Sequence, residues 1–280
     1  MDQNRAKDRV GIGLLGCGTM GGEIAAAVAS QAVGNAGIVA VFDEYIDGAT
    51  RLAGTLQPAP VVCPTMAELL AIPDVSLVVE CASPAVIEAH GATILAAGRS
   101  LLTLSSGALA DTALFDRLTA LAAENRCDIV VPSGALGGID AIRSVQRLLT
   151  EVTLTSTKPP VAFSGSPGFA AWEGVEIAEP VVLYEGPARD AVKLFPANVN
   201  VAATLSLAGI GPDRTMVRVV ADPASPGNVH EIEARGEFGE FTFRMVNRPH
   251  VRNPRTSHLA VLSAIETLRS YCERGPRIGT

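Results

Sequence analysis

The sequence predicts two domains: an α/β domain with a doubly wound parallel sheet, and an α+β domain after it. Three observations predict this organisation. A glycine-rich turn follows the first apolar strand, strands and helices alternate as far as residue 140, and short strands with Pro- and Gly-rich loops follow. Strands that alternate with helices form right-handed βαβ units and share one parallel sheet. We expect domains at residues 1–140 and 141–250, with a C-terminal helix in 251–280 that packs on the first domain.

The glycine-rich turn is a G-x-G-x-x-G motif at residues 16–21, between an apolar strand and a predicted helix. Gly16 permits the tight turn, Gly18 lets a pyrophosphate approach the backbone, and Gly21 lets the helix pack closely on the strand. A glycine-rich turn can also be purely structural. In this strand–turn–helix context the motif is typical of the Rossmann fold, which binds a dinucleotide.

The segments after the turn support a dinucleotide site. A helix is predicted from Thr19, and its free backbone N–H groups make Thr19 and Met20 candidate phosphate contacts. The next apolar strand, residues 37–42, ends at Asp43, whose carboxylate can bind both ribose hydroxyls of NAD. Asp43 would repel a 2′-phosphate and no arginine follows it directly, so NAD is favoured, with NADP possible. Without a cofactor, Asp43 would be only an acid at a strand end.

Further strands and helices complete the first domain, after an irregular stretch that follows Asp43. The predicted strands are 59–63, 75–80, 100–105 and 127–131, and the helices are 66–71, 85–97 and 112–125. In parallel sheets, ligands bind beyond the carboxyl ends of the strands. Ala82, Ser83 and Ser106 follow such ends, and we predict that they contact the cofactor.

The regular alternation of strands and helices ends near residue 140, where a helix over 140–149 leads into a mixed or antiparallel sheet. Strands are predicted at 151–157, 180–184, 215–221, 229–236 and 240–246, and helices at 188–195 and 200–208. A last helix over 254–272 places leucine and isoleucine on one face at helical spacing. We interpret this region as an α+β substrate domain followed by a packing helix.

Composition limits the classes of function. The 280 residues carry a net charge of −7, with 48% hydrophobic and 4% aromatic residues. The acidic balance and the absence of a basic run argue against a nucleic-acid surface. No apolar stretch reaches transmembrane length and the polar N-terminus lacks a signal-peptide region, so we expect a cytoplasmic protein without a membrane partner. The five scattered cysteines indicate neither a disulfide framework nor a metal site.

Histidine is the usual proton-handling residue near neutral pH in a nicotinamide-dependent reaction. His230 follows a Pro/Gly loop at the mouth of a strand, beside Asn228, and is a candidate catalytic residue. A buried structural histidine is the competing interpretation. The other three histidines are expected in exposed or capping positions: His90, His250 and His258.

Two segments of the second half carry polar groups suited to ligands. Residues 133–138 offer backbone N–H groups and could form a wall of the nicotinamide pocket, or only a flexible turn. Residues 195–204 contain Asn198, Asn200 and Thr204, whose amides and hydroxyl suit a carboxamide or a substrate carboxylate. Helix capping is the alternative for the asparagines. Asn198, Thr204 and Asn228 are candidate substrate contacts.

Together these segments resemble the L-aspartate dehydrogenase family from residue 10 to about 270. The motifs that carry the resemblance lie at residues 16–21, 133–140, 195–206, 229–232 with 235–239, and 253–257. The resemblance implies a two-domain NAD(P)-dependent amino-acid dehydrogenase, usually a homodimer. It also implies that His230 is catalytic and that Ala135 and Asn200 contact the cofactor. The longer N-terminal lead and the loop at 164–179 depart from the family pattern.

The implied reaction is reversible oxidation of L-aspartate to oxaloacetate and ammonia, through iminosuccinate, with a hydride passing from Cα to nicotinamide C4 and His230 as acid and base. A dicarboxylate requires cationic partners, but surface placement is the default for each candidate: Lys158, Lys193, Arg143, Arg235 and Arg248. Two alternatives remain. One is a non-enzymatic NAD-binding sensor, and the other is a nicotinamide reductase of dihydrodipicolinate-reductase-like build, whose His-His pair is absent here.

Overall fold

The computed structural model describes residues 9–196 and 200–273, except for the side chains of residues 254 and 255. The chain divides into two compact units. The first lies within Met1–Ala108, Ala113–Pro132 and Val261–Arg277, and the second within Leu109–Thr112 and Ser133–Ala260. The domain boundaries of the sequence analysis stay predictions.

The first unit is built on a six-stranded parallel sheet. Its strands are β1 (Val10–Leu15), β2 (Ala36–Phe42), β3 (Val61–Val62), β4 (Leu77–Glu80), β5 (Ser100–Thr103) and β6 (Ile129–Val130). They lie in the order β3-β2-β1-β4-β5-β6, and each neighbouring pair is parallel. The chain order therefore reverses between β1 and β4, and ligands of such sheets bind at the carboxyl ends on either side of this point.

Helices connect these strands. They are α1 (Thr19–Ala29), α2 (Ile46–Ala53), α3 (Met66–Ala71), α4 (Pro84–Ala96) and α5 (Thr112–Asn125). The prediction of an irregular stretch after Asp43 is wrong, because this stretch contains α2. This helix is only two turns long and buries Ala49 and Ala53, while the intervening polar residues and Gly48 obscure its helical pattern in the sequence.

The second unit is built on a five-stranded mixed sheet. Its elements are α6 (Ile139–Ser144), β7 (Leu149–Lys158), β8 (Val181–Pro187), α7 (Ala188–Leu194), α8 (Asn200–Ala208), β9 (Thr215–Ala221), β10 (Asn228–Gly236) and β11 (Gly239–Asn247). The order is β11-β10-β7-β9-β8, with only β7 and β9 parallel. One face of the sheet packs against α8 in an apolar core that includes Leu154, Leu205 and Ile232.

A two-stranded ribbon and a helix follow β11: β12 (Pro249–His250), β13 (Asn253–Ser257) and α9 (His258–Cys272). The predicted start of the last helix at residue 254 is wrong. Residues 253–257 are extended because a residue before proline disfavours helical dihedrals, and Pro249 pairs with Ser257 across the ribbon. Within the first unit, Ala264 and Leu268 of α9 lie in the hydrophobic core.

The helix expected over 140–149 is also shorter than predicted. α6 ends at Ser144, whose hydroxyl donates to the Asp140 carbonyl, and a 3-10 turn over Gln146–Leu148 leads into β7. Such back-bonding by serine favours bending of a helix. The predicted fold class, a Rossmann-type parallel sheet followed by an α+β unit, is confirmed. Among the described residues, no helix has the length and apolarity needed to cross a membrane.

Candidate active site

The glycine turn of the first unit has the geometry of a phosphate-binding turn. Gly16 has a φ of 92°, and a Cβ there would lie 2.9 Å from the Cys81 carbonyl carbon. A Cβ on Gly21 would overlap the Gly16 carbonyl oxygen, so α1 packs directly on the turn. By contrast, a Cβ on Gly18 would meet nothing within 4 Å. Gly16 and Gly21 are therefore required for the packing of the turn, whereas Gly18 leaves open space beside it.

Helix α1 begins beside that space. Gly18 is its N-cap, no side chain caps it and no acid lies in its first turn, which contains Thr19 and Met20. Its first N–H groups and the positive end of its dipole are therefore suited to an anion.

Asp43 lies at the end of β2, next to the turn. Its Oδ2 accepts a hydrogen bond from the Cys17 N–H at 2.6 Å, and its Oδ1 accepts one from the Tyr45 N–H at 2.9 Å. Each carboxylate oxygen has a second lone pair with which it can accept a ribose hydroxyl. Burial, followed by the charge of Asp43, raises the pKa of the Cys17 thiol to about 12, so this cysteine stays protonated and is a poor nucleophile.

A buried carboxylate, which the sequence analysis missed, organises the neighbouring strand ends. Glu80 at the end of β4 is fully buried, and burial raises its pKa against the opposing effect of its hydrogen bonds. Its Oε1 accepts from Ala82 N–H at 2.7 Å and the Ser105 hydroxyl at 2.8 Å. Its Oε2 accepts from the Thr103 hydroxyl at 2.6 Å and the Ser105 N–H at 3.1 Å. The carboxylate thus joins the loops after β4 and β5.

Those loops carry the three predicted strand-end contacts. Ala82 is exposed and lies beside the glycine turn, because a Cβ on Gly16 would be 3.0 Å from the Ala82 Cβ. Ser83 is partly buried at the N-cap of α4, and Ser106 is buried. The structure brings Ala82 to the turn, while the roles of Ser83 and Ser106 stay predictions.

In the second unit, His230 is buried on the core face of the sheet, with 1% of its surface exposed. It pairs across β10 and β7 with Ser156, whose Oγ lies 3.0 Å from the imidazole Nδ1. Burial, and then the charge of Lys158, lower the pKa of His230 to about 3. The imidazole is therefore neutral at physiological pH, and a hydrogen bond at one ring nitrogen sets its orientation.

Lys158 corrects the expectation that all five cationic candidates lie at the surface. Its side chain is buried on β7, two residues along the same strand face from Ser156, and burial lowers its pKa to about 8. The other four are exposed: Arg143, Lys193, Arg235 and Arg248.

Buried amides lie at the same end of this sheet. Asn228 and Asn247 pair across β10 and β11, and both are buried. Asn228 donates to the Ser257 hydroxyl at 3.0 Å, and Asn247 donates to the Ala135 carbonyl at 3.0 Å. The structure therefore brings Ala135 to the strand that neighbours His230.

The remaining predicted contacts lie on or before α8. Asn200 is its first residue and is exposed, whereas Thr204 is buried in the same helix. Asn198 lies outside the described residues. Two histidine placements are wrong. His90 is half-buried in α4, with its ring nearly perpendicular to that of Phe42. His250 is buried and accepts a hydrogen bond from the Arg252 N–H.

Comparisons with known proteins cover both units. Residues 140–271 match the family model of the aspartate dehydrogenase C-terminal region, and residues 16–132 match that of the NAD-binding domain of homoserine dehydrogenase. An L-aspartate dehydrogenase of Methanosarcina barkeri is 46% identical over 262 residues, which are 92% of this chain and 95% of the relative. The chain belongs to the L-aspartate dehydrogenase family.

Two more members support the assignment. An L-aspartate dehydrogenase of Nitrosopumilus maritimus is 41% identical over 96% of this chain and 99% of its own length. The crystal structure of aspartate dehydrogenase from Thermotoga maritima matches with a TM-score of 0.76 and 27% identity, over 97% of this chain and all of that one. The predicted resemblance is confirmed, and membership of an enzyme family sets aside the sensor and the dihydrodipicolinate-reductase-like alternative.

Gly18 offers a test of the dinucleotide site that leaves the fold intact. We expect Gly18→Ala to weaken NAD binding by about tenfold or more, near 1.4 kcal/mol, because its Cβ would enter the space left for the pyrophosphate. Its free energy of unfolding should change by no more than about 1 kcal/mol, since the lost freedom of the unfolded chain is opposed by the poorer N-cap preference of alanine. Titration calorimetry and denaturant unfolding measure the two quantities.

Gly22→Ala is the matched control for this substitution. Gly22 lies one turn into α1, and a Cβ there also meets nothing within 4 Å. This variant should keep wild-type affinity for NAD. Equal affinity in wild type and Gly18→Ala would show that the turn does not hold the pyrophosphate.

Proposed function

We propose that this chain oxidises L-aspartate with NAD, and that water converts the product iminosuccinate to oxaloacetate and ammonia. The observation that carries this proposal is a buried, neutral His230 held by Ser156 beside a buried lysine, in a chain of the L-aspartate dehydrogenase family. The imidazole can exchange the protons that interconversion of the amine and imine forms of the substrate requires. The neighbouring ammonium group suits the negative charges of a dicarboxylate.

The first unit supplies residues that fit the cofactor. The open space at Gly18 and the uncapped start of α1 suit the pyrophosphate, and Asp43 suits the adenosine ribose. When bound, the nicotinamide accepts the hydride from the substrate Cα. Because a carboxylate at this position repels a 2′-phosphate, we propose NAD as the preferred cofactor over NADP.

His230 would accept and donate the protons in the hydrolysis of iminosuccinate. With the proton on Nδ1 and donated to Ser156, the lone pair of Nε2 can accept a proton from the water that attacks the imine carbon. The new C–O bond forms as the imine electron pair moves to nitrogen. The imidazolium then protonates the amine nitrogen. As the C–N bond breaks, the neutral imidazole removes the hydroxyl proton, so that ammonia leaves and the oxaloacetate carbonyl forms. Reductive amination is the same sequence in reverse.

Several finer assignments belong to the same proposal. Ala135 and Asn200 would contact the cofactor, as would Ser83 and Ser106, whereas Thr204 and Asn228 would contact the substrate. The family resemblance supports the first two, and the burial of Thr204 and Asn228 on elements around the His230 face supports the last two. A homodimer and a cytoplasmic location stay predictions, and analytical ultracentrifugation tests the first of them.

The proposed reaction has a direct test. We expect L-aspartate to reduce NAD, whereas L-glutamate, L-alanine and L-malate should not. The absorbance of NADH measures the reduction. NADP should support a lower kcat/KM than NAD because of Asp43. Tight NAD binding without reduction by L-aspartate would contradict the proposed substrate, and faster reduction of NADP would contradict the role given to Asp43.

A further inference from the structure

One end of the core face in the second unit is polar, whereas the rest of that face is apolar. Along β7 the buried positions alternate, and the residues change from Val152 and Leu154 to Ser156 and Lys158. On the neighbouring strand β10, His230 lies opposite Ser156 in the ladder. The imidazole, the hydroxyl and the ammonium therefore belong to one patch of a single sheet.

Lys158 is an unusual residue to find in this patch. Only 4% of its surface is exposed, and the same strand face carries two apolar residues and Ser156 before it. Burying an ammonium group costs free energy, because water solvates it better than protein does. With a pKa of about 8, the group is still mostly charged at neutral pH. Such costs are concentrated at functional sites, where a charge has a ligand to bind.

The ligand most complementary to this patch is an anion with a reacting centre nearby. A cation is disfavoured beside Lys158, and among the described residues no cluster of His, Cys, Asp or Glu could hold a metal ion. A carboxylate, by contrast, gains a charge-assisted hydrogen bond from an ammonium in surroundings of low dielectric constant.

We propose that Lys158 binds a carboxylate of the substrate and thereby holds the reacting carbon beside His230. This inference rests on the proposed function, since it takes the dicarboxylate L-aspartate as the substrate. It selects the buried Lys158, from the five cationic candidates that the sequence left open, as the one in direct contact with substrate.

Binding at Lys158 has a second effect on the same site. Burial and the Lys158 charge are the causes that lower the pKa of His230, in that order. A carboxylate on the ammonium offsets the second cause, so the pKa of His230 rises when substrate is bound. The imidazole thus becomes a better proton acceptor in the complex than in the free enzyme.

The test replaces the charge while keeping the length of the side chain. We expect Lys158→Met to raise the KM for L-aspartate about 10- to 100-fold, as expected for loss of a hydrogen bond to a charged group, with a smaller change in kcat. The Kd for NAD, measured by calorimetry, should not change. Succinate serves as a probe that requires no turnover, and its Kd for the NADH complex should rise by the same factor.

Lys193→Met is the matched control, because Lys193 lies in the same unit but is exposed. It should leave both the KM and the succinate Kd at wild-type values. If Lys158→Met does not melt cooperatively, Lys158→Gln removes the charge while keeping a polar side chain.

The outcomes separate the two proposals. Normal L-aspartate oxidation with an unchanged KM and succinate Kd in a folded Lys158 variant would overturn this inference and leave the proposed function standing. Succinate binding that depends on Lys158 in a protein that does not oxidise L-aspartate would support the carboxylate site and refute the proposed function.

Discussion

Replacing His230 with alanine is expected to lower kcat about 10²- to 10⁴-fold, the usual contribution of general acid–base catalysis. The variant removes the imidazole that Ser156 holds at Nδ1, and with it the Nε2 that would accept the proton from water. NAD binding should be unchanged, because the glycine turn and Asp43 belong to the other unit. Steady-state kinetics and calorimetry on the same preparation measure both quantities.

His258→Ala is the control for this substitution, since His258 is an exposed histidine of the same unit at the start of α9. It should retain wild-type kcat. A second variant, Ser156→Ala, keeps the imidazole but removes its Nδ1 partner, and its kcat should lie between those of wild type and His230→Ala. Unchanged turnover in His230→Ala would refute the acid–base role.

Replacing Glu80 with alanine is expected to lower the free energy of unfolding by about 3–5 kcal/mol, as for breaking a buried charged network. The substitution removes the carboxylate acceptor of four donors: the Ala82 and Ser105 N–H groups and the Thr103 and Ser105 hydroxyls. The Ala82 N–H cannot turn away, so its desolvation is not recovered, whereas the Ser105 N–H keeps the Thr103 hydroxyl oxygen as an acceptor at 3.1 Å. Guanidinium unfolding at neutral pH measures the loss, and Glu88→Ala, at an exposed position of α4, should change it little.

Glu80→Gln separates the loss of volume from the loss of acceptors. Either amide orientation places an NH₂ group against a backbone N–H, because each carboxylate oxygen accepts from one, so we expect a loss of about 1–3 kcal/mol. Burial raises the pKa of Glu80 above its ordinary value of 4.5. Wild type should therefore lose stability relative to this variant as the pH rises from that value through the raised pKa. A constant difference across that range would contradict the raised pKa.

The features that the sequence predicted best are those that depend on neighbouring residues. The glycine turn, the strand before it and Asp43 lie within one βαβ unit, so local spacing was enough to predict the fold class, which is confirmed. The missed helix α2 and strand β13 are short and were obscured by glycine and proline. Their formation depends on packing and pairing with distant segments.

Charged groups in the interior were the features that sequence analysis could not place. Glu80 gains its partners from residues 23 and 25 positions later, and Ser156 meets His230 across 74 positions. No local pattern encodes such contacts. A signal did exist for Lys158, since the alternation of buried positions in β7 continues to it, but the usual exposure of lysine outweighed that alternation.

The hydrogen bond between Asp43 and the Cys17 N–H has a consequence for protein engineering. The carboxylate proposed to select the ribose also supports the backbone of the turn proposed to hold the pyrophosphate. Removing it to admit NADP would take away a support of the turn together with the feature that repels the 2′-phosphate. A change of cofactor preference at this position therefore requires a second substitution that restores an acceptor for the turn.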